Sequence, residues 1–191
     1  MSAVEVAGVD LSLTSTGIAR AVFRGGVMLE PDVRRITSQG KAGASLTERQ
    51  KRLTRLCAQV VDEVASADLV VIEQPAFSRT MGSMHDRSGL WWLVVDTLVK
   101  EYGSTIVEVA PTARAKYATG AGNAGKDAVL AAAVKRYPDW DITGNDVADA
   151  VILTAMGCRH LGHQIDSLPQ IHLSAMTKVR WPATDPEGVT A

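Results

Sequence analysis

The chain has 191 residues and a formal net charge of −1 at pH 7, with 46% hydrophobic residues, enough for one domain with a full core. No apolar stretch reaches the ~20 residues that span a bilayer, and the N-terminus lacks the basic and apolar regions of a signal peptide, so we expect a cytoplasmic protein without a membrane partner. The charge balance excludes a chain that is basic throughout, so binding to nucleic acid would require a local cluster of basic residues.

The first part of the chain predicts three strands and a helix. Residues 4–10, 16–24 and 27–37 have the composition of strands, and Gly25-Gly26 is a two-residue hairpin signal. After a loop at 38–44, Ser45 and Glu48 match a capping box. The helix that follows carries its apolar residues at helical spacing and basic residues on its other faces.

The second part of the chain alternates strands with helices. Strands are predicted at 69–73 and 105–110, and helices at 83–102, 127–137 and 146–160, with a short turn or helix from Pro111 through Lys116. From residue 165 the chain contains three prolines and is typical of an irregular tail. We therefore expect a domain at 1–164 and a tail at 165–191.

This order predicts an α/β fold with one mixed sheet of five strands. The first three strands form an antiparallel meander, and the two later strands are parallel to the first because helices connect them. Helices should cover both faces of the sheet. Functional residues are expected at the carboxyl ends of the central strands.

Four acids are the strongest candidates for a site. Asp10 and Glu73 each end an apolar strand, and Asp146 and Asp149 lie three residues apart in a predicted helix, which puts them on one face. Charged residues are rarely buried unless they pair or bind a metal. Because a shell of carboxylate oxygens favours hard cations, we expect Mg²⁺, with Mn²⁺ able to substitute.

The order of elements and these acids resemble the ribonuclease H-like fold, and more closely the RuvC family of Holliday junction resolvases. The motifs that carry the resemblance are Gly8-Val-Asp10 with Thr16-Gly17, Ile72-Glu73-Gln74, Pro111 with Lys116 and Lys126, and Asp146-Val-Ala-Asp149-Ala. They occur in consistent order over about residues 5–160. The family's aromatic residue after Glu-Gln is displaced here to Phe77, and the tail has no counterpart.

The resemblance implies a function and a set of residue roles. It implies that Asp10, Glu73, Asp146 and Asp149 bind two metal ions and that Lys116 and Lys126 assist near the scissile phosphate. The implied activity is an endonuclease that cuts four-way junctions and other branched DNA as a homodimer, in a bacterial cell or a phage-infected host. Candidate DNA-binding residues are Arg49, Arg52, Arg55, Phe77, Arg79, Arg114, Lys116 and Lys126.

Other functions remain open or are disfavoured. A non-catalytic binder of branched DNA with the same fold is the main alternative. Gly120 to Gly125 matches a G-x-G-x-x-G pattern, but it does not directly follow a strand, so no nucleotide cofactor is expected. An actin-like ATPase or sugar kinase duplicates this fold, and the chain is too short for two copies.

Overall fold

The structure, a computed structural model, describes residues 3–29, 31–75 and 84–183. Among them the strands are β1 (Val4–Asp10), β2 (Ser15–Arg24), β3 (Val27–Met28), β4 (Asp32–Thr37), β5 (Leu69–Glu73) and β6 (Ile106–Val109). The helices are α1 (Leu46–Val64), α2 (Met84–Tyr102), α3 (Pro111–Thr119), α4 (Lys126–Arg136), α5 (Asn145–His160) and α6 (Gln170–Leu173), followed by a 3-10 helix at Met176–Lys178. None of these helices is long and apolar enough to cross a membrane.

The sheet is mixed, as predicted. Its strand order is β3-β2-β1-β5-β6, with β4 also paired to β2. The β1–β2 pair is antiparallel, whereas β1–β5 and β5–β6 are parallel. The α/β fold class is therefore confirmed, and the two central strands, β1 and β5, run side by side in the same direction.

The predicted third strand, at 27–37, is divided in the structure. Both β3 and β4 pair with β2, but the pairing is interrupted before Asp32. Pro31 lies at this interruption and has no N–H group to donate to a neighbouring strand, which accounts for the break. The five predicted strands thus correspond to six, with β3 and β4 sharing one side of β2.

Helices pack on both faces of the sheet because the side chains of β1 and β5 alternate between them. Val6 and Leu69 belong to the core under α3, α4 and α5, whereas Ala7 and Val70 belong to the core under α1 and α2. The central helix is α5, in which every residue from 147 to 158 is buried. Cys57 and Cys158 are buried free thiols.

The segment after α5 packs on the same core. The Asp166 carboxylate accepts hydrogen bonds from the Tyr117 and Tyr137 hydroxyls and forms an ion pair with Arg159. Trp181 stacks on His160 with 4.7 Å between ring centroids. Residues 165–183 therefore lie against α3 and α5, and the division of the chain at residue 164 stays a prediction.

Candidate metal centre

Asp10 and Glu73 lie side by side at the carboxyl edge of the sheet. The β1–β5 register pairs Val9 with Ile72, and the two acids come one residue later on each strand. Asp10 and Glu73 are each an even number of residues after Val6 and Leu69, so their side chains lie on the same face of the sheet, the face that packs against α5. Both carboxylates are therefore directed to the α5 face, where the apolar character of the strands ends.

Two glycines allow α5 to approach these strands closely. A Cβ atom at Gly8 would collide with Ala150 and Thr154, and one at Gly17 would collide with the backbone at Asp146. Only a residue without a side chain fits at such contacts. The Gly-Val-Asp and Thr-Gly motifs thus bring the start of α5 against β1 and β2, next to Asp10.

Three of the four predicted acids form one cluster. Ligand oxygens of Asp10, Glu73 and Asp149 all lie within 4.8 Å of one another. Asp149 is only 4% exposed, although it is one of the most polar side chains of the protein. The structure therefore brings together carboxylates from β1, β5 and α5.

The fourth acid, Asp146, lies beside this cluster and has its own partner. Its Oδ2 accepts a hydrogen bond from the Ser15 hydroxyl at the start of β2. The charge of Asp146 nevertheless contributes to the raised pKa of Asp10 and of Asp149, after larger contributions from burial and closer charges. Ser15 was not among the predicted site residues; its position next to Thr16-Gly17 is the signal that could have identified it.

Arg114 occupies the interior of the cluster. Its Nε lies 2.5 Å from Glu73 Oε1, and its Nη1 forms an ion pair with Asp149. The residue is 8% exposed. Arg114 was a candidate for DNA binding, and the structure places its guanidinium between two of the acids; its predicted role in DNA binding stays a prediction. A buried cation here offsets the repulsion between carboxylates.

Two acids of the cluster, Asp10 and Asp149, have raised pKa values. Burial, followed by repulsion from Glu73 and Asp149, raises the pKa of Asp10 to about 8. Burial also raises the pKa of Asp149 to about 7, although the Arg114 charge lowers it. Carboxylates that take up protons at neutral pH are sites where a divalent cation can replace the proton.

The donor set fits a hard divalent cation. All three clustered ligands are carboxylates, and no histidine or cysteine among the described residues belongs to the cluster. Mg²⁺ and Mn²⁺ prefer such oxygen ligands, whereas zinc sites usually contain nitrogen or sulfur. Asp10, Glu73 and Asp149 could hold a first ion, and Asp146 lies next to them.

The two predicted catalytic lysines differ in their relation to the acids. Lys126 is exposed at the start of α4, and its positive charge opposes the rise in the pKa of Asp149, so it acts on the cluster. Lys116 is half-buried on α3, and within the described residues no ion pair joins it to the acids. Arg114, two residues earlier, makes those contacts instead.

The basic residues of α1 also have different surroundings. Arg49 pairs with Asp86, Arg52 donates from Nε to Ser38 Oγ at 2.8 Å, and Arg55 is exposed. Phe77 and Arg79 lie outside the described residues. The roles in DNA binding that the sequence predicts for these five residues therefore stay predictions.

Trp91 is a further residue of the site that the sequence pattern did not identify. It is buried on α2, and its indole Nε1 donates a hydrogen bond to the backbone carbonyl of Glu73 at 3.0 Å. This bond fixes the end of β5 on the side opposite α5. Trp92, the next residue, is 63% exposed, as expected for adjacent helical positions that face different ways.

Comparison with known proteins finds relatives in structure but not in sequence. No family model matches the chain, and no curated protein sequence matches it significantly. The RuvC structure from Thermus thermophilus matches with a TM-score of 0.60 and 18% identity, covering 83% of this chain and 97% of that one. RuvC from the same organism in complex with a Holliday junction substrate has a TM-score of 0.54 and 20% identity, covering 79% and 90%.

A viral protein matches over a similar range. The fowlpox virus resolvase in complex with Holliday junction DNA has a TM-score of 0.51 and 11% identity, and the match covers 82% of this chain and 98% of that one. The TM-scores establish a common fold, and at identities this low the matches establish the fold alone. The resemblance is thus confirmed for the fold: this chain shares the fold of the RuvC structures and of the fowlpox virus resolvase.

Proposed function

We propose that this protein is a metal-dependent endonuclease that cleaves branched DNA, four-way junctions in particular. The observation that carries the proposal is the cluster of Asp10, Glu73 and Asp149, contributed by three separate elements. A structural role alone does not explain three carboxylates packed this closely, because their repulsion costs stability. The structural relatives named above are resolvases, two of them in complex with junction DNA, which suggests the substrate.

The reaction we propose is hydrolysis of a phosphodiester bond. Two Mg²⁺ ions held by the clustered acids and Asp146 would activate water for in-line attack and stabilise the leaving 3′ oxygen, with Mn²⁺ able to substitute. The products would be a 5′-phosphate and a 3′-hydroxyl, which a ligase can seal. No nucleotide cofactor is required.

Basic residues would complete the site. Lys126, whose charge acts on Asp149, is suited to offset negative charge on the phosphate in the transition state. Lys116 would help to position the scissile strand. Phe77 would stack on a base exposed at the branch point, a contact that tolerates any base and so favours branched structure over sequence.

A two-fold homodimer would supply the two nicks that a four-way junction requires. Helix α2 offers a surface for it, because Trp92 and Val99 are two turns apart on one side and are 63% and 51% exposed. Tyr102, also half exposed, extends the same surface. Exposed apolar groups of this kind mark protein interfaces.

The substrate would place this activity in recombination, repair or phage DNA processing, in the cytoplasm.

A second candidate function is binding of branched DNA without cleavage. The ion pairs of Arg114 with Glu73 and Asp149 favour it, because they neutralise the acids without a metal. The two candidates differ in one experiment. Purified protein should be incubated with four-way, three-way, flap and linear DNA, with Mg²⁺ or with EDTA. Cleavage of branched DNA only with Mg²⁺ supports the nuclease, and binding without cleavage in either condition contradicts it.

A further inference from the structure

A cavity of about 640 Å³ lies on the outer side of α1, against the loop at 39–44. Its lining includes five basic residues, which are Lys41, Arg49, Lys51, Arg52 and Arg55. Glu48 and Asp86 are the acids of the lining, so the cavity has a net positive charge. We call it the basic cavity. In a chain with a net charge of −1, such a concentration of positive charge selects for an anionic ligand.

Three of the basic residues are available for a ligand. Glu48 is engaged by Ser45 in the capping box of α1, and Asp86 is engaged by Arg49. Lys41, Lys51 and Arg55 are exposed and form no ion pair within the described residues. Their charges are therefore not offset by neighbouring carboxylates.

Arg52 has a different task, because it joins the cavity to the catalytic edge of the sheet. Its guanidinium donates to Ser38 Oγ and to the carbonyl of Leu13, in the turn that follows Asp10. A Cβ atom at Gly40 would collide with this guanidinium, so the loop lies directly on it. Arg52 is thus a positioning residue that fixes the turn and the loop to α1.

A second pocket adjoins the basic cavity beside the turn between β1 and β2. It has a volume of about 610 Å³, shares Gln39 and Gly40 with the basic cavity, and is lined by the hydroxyl residues Thr14, Thr37 and Ser38. Thr14 precedes Ser15, whose hydroxyl is bonded to Asp146. Polar side chains therefore line the surface from the β1–β2 turn, next to the Ser15–Asp146 pair, to the basic cavity.

We propose that this surface is a path for DNA: it binds the sugar–phosphate backbone of the strand that continues from the scissile phosphate, with its phosphates in the basic cavity. This inference rests on the proposed function. Hydroxyl, lysine and arginine side chains are the usual partners of backbone phosphates, and they position DNA without reading its sequence. The acid cluster repels the DNA it must cut, so attraction has to come from a neighbouring surface such as this one.

The test compares two double variants by fluorescence anisotropy with a labelled four-way junction, in EDTA and over a range of salt. Lys51→Ala with Arg55→Ala removes two free charges of the basic cavity. Arg24→Ala with Lys135→Ala is the matched control, because both residues are exposed and lie outside it. Arg24 is at the end of β2 opposite to the Asp10 edge. Thermal melts establish that all variants fold.

The cavity variant should bind the junction ~10-fold more weakly than wild type at moderate salt, and the slope of log K against log salt should fall by about 1 to 2. The control should change affinity less than ~2-fold and leave the slope unaltered. Equal losses from both variants, or no loss from the cavity variant, would overturn the proposal. So would cavity-dependent binding of deoxyadenosine monophosphate together with unchanged junction binding, since the ligand would then be a free nucleotide.

The same preparations separate this inference from the proposed function. If wild type binds the junction through the basic cavity but does not cleave it with Mg²⁺, the nuclease fails and the DNA path stands. If wild type cleaves and the cavity variant binds and cleaves like wild type, the nuclease stands and the path fails.

Discussion

The charge balance around Arg114 determines the behaviour of the site at the scale of single residues. Asp149 is buried, Asp10 and Glu73 are half-buried, and the Arg114 guanidinium pairs with Glu73 and Asp149. The raised pKa values of Asp10 and Asp149 favour proton uptake, which offsets further negative charge. A charge buried without a partner costs several kcal/mol, so each change of charge here should alter stability. The direction depends on whether the change removes an acid or the cation.

Replacing Asp10 by asparagine should stabilise the metal-free protein, and the gain should grow with pH. A carboxyl group whose pKa rises from 3.8 to about 8 on folding binds a proton more tightly in the folded state. Wild-type stability should therefore fall as pH rises from about 4 to about 8, and Asp10→Asn should lack the part of this loss that Asp10 causes. At pH 8 in EDTA we expect a gain on the order of 2 kcal/mol, or ~4–8 °C in Tm. Plots of Tm against pH that run parallel for wild type and Asp10→Asn between pH 4 and 8 would contradict this prediction.

Replacing Arg114 by glutamine should have the opposite effect. The acids would lose their internal cation, and we expect a loss of ~3 kcal/mol in EDTA. Mg²⁺ should restore most of it, since the cation replaces the missing charge. Arg49→Gln is the control, because its ion pair with Asp86 is at the surface and should contribute little to stability, without any response to Mg²⁺. Thermal melts with and without Mg²⁺ measure both, and a mild, Mg²⁺-independent effect of Arg114→Gln would refute the assigned role.

At the scale of elements, the approach of α5 to the sheet brings the acids together. The helix crosses β1 and β2 at Gly8 and Gly17, where no side chain fits. Asp149 reaches Asp10 only because this contact is close. The two glycines of the motifs are therefore packing residues whose effect is felt at the metal centre.

Gly17→Ala should accordingly push α5 away from β2. Overpacking at a contact with backbone costs ~1–3 kcal/mol, and the shift should also weaken Mg²⁺ binding. Gly125→Ala is a suitable control, because a Cβ atom added there meets no other side chain or distant backbone within 4 Å and φ is an ordinary −70°. Thermal melts and calorimetric Mg²⁺ titrations of both variants test this. Equal stability and equal Mg²⁺ affinity in the two would exclude the packing explanation.

The exposed face of α2 leads to a prediction about assembly. Trp92→Glu would place a charge in the proposed dimer interface, which should convert the protein to a monomer in light scattering at micromolar concentration. Val134→Glu on α4 changes an equally exposed apolar residue, 48% accessible, outside that face and should leave the mass unchanged. If wild type is a monomer, or if Trp92→Glu remains a dimer, α2 does not form the dimer interface.

At the scale of the whole molecule, the sequence predicts the sheet and the acids better than the contacts between them. Apolar runs that end in Asp10 and Glu73 locate the strand ends, because strand composition and burial are local signals. The inward position of Arg114 depends on how α3 rotates as Tyr117 and Ala118 enter the core, which is a tertiary effect. The packing of Trp181 on His160 likewise depends on a neighbour distant in sequence, whereas the split at Pro31 has a local cause that the sequence contains.

The most direct test of the central claim is cleavage of a four-way junction by wild type and by Asp149→Asn, each with Mg²⁺ and with EDTA. An amide is a poor ligand for a hard cation, so Asp149→Asn should bind the junction as wild type does but cut it at least ~100-fold more slowly. Wild type should release Mg²⁺-dependent products that ligase can seal. Wild-type cleavage in EDTA, or cleavage by Asp149→Asn at near wild-type rate, would contradict a metal-dependent nuclease at this cluster.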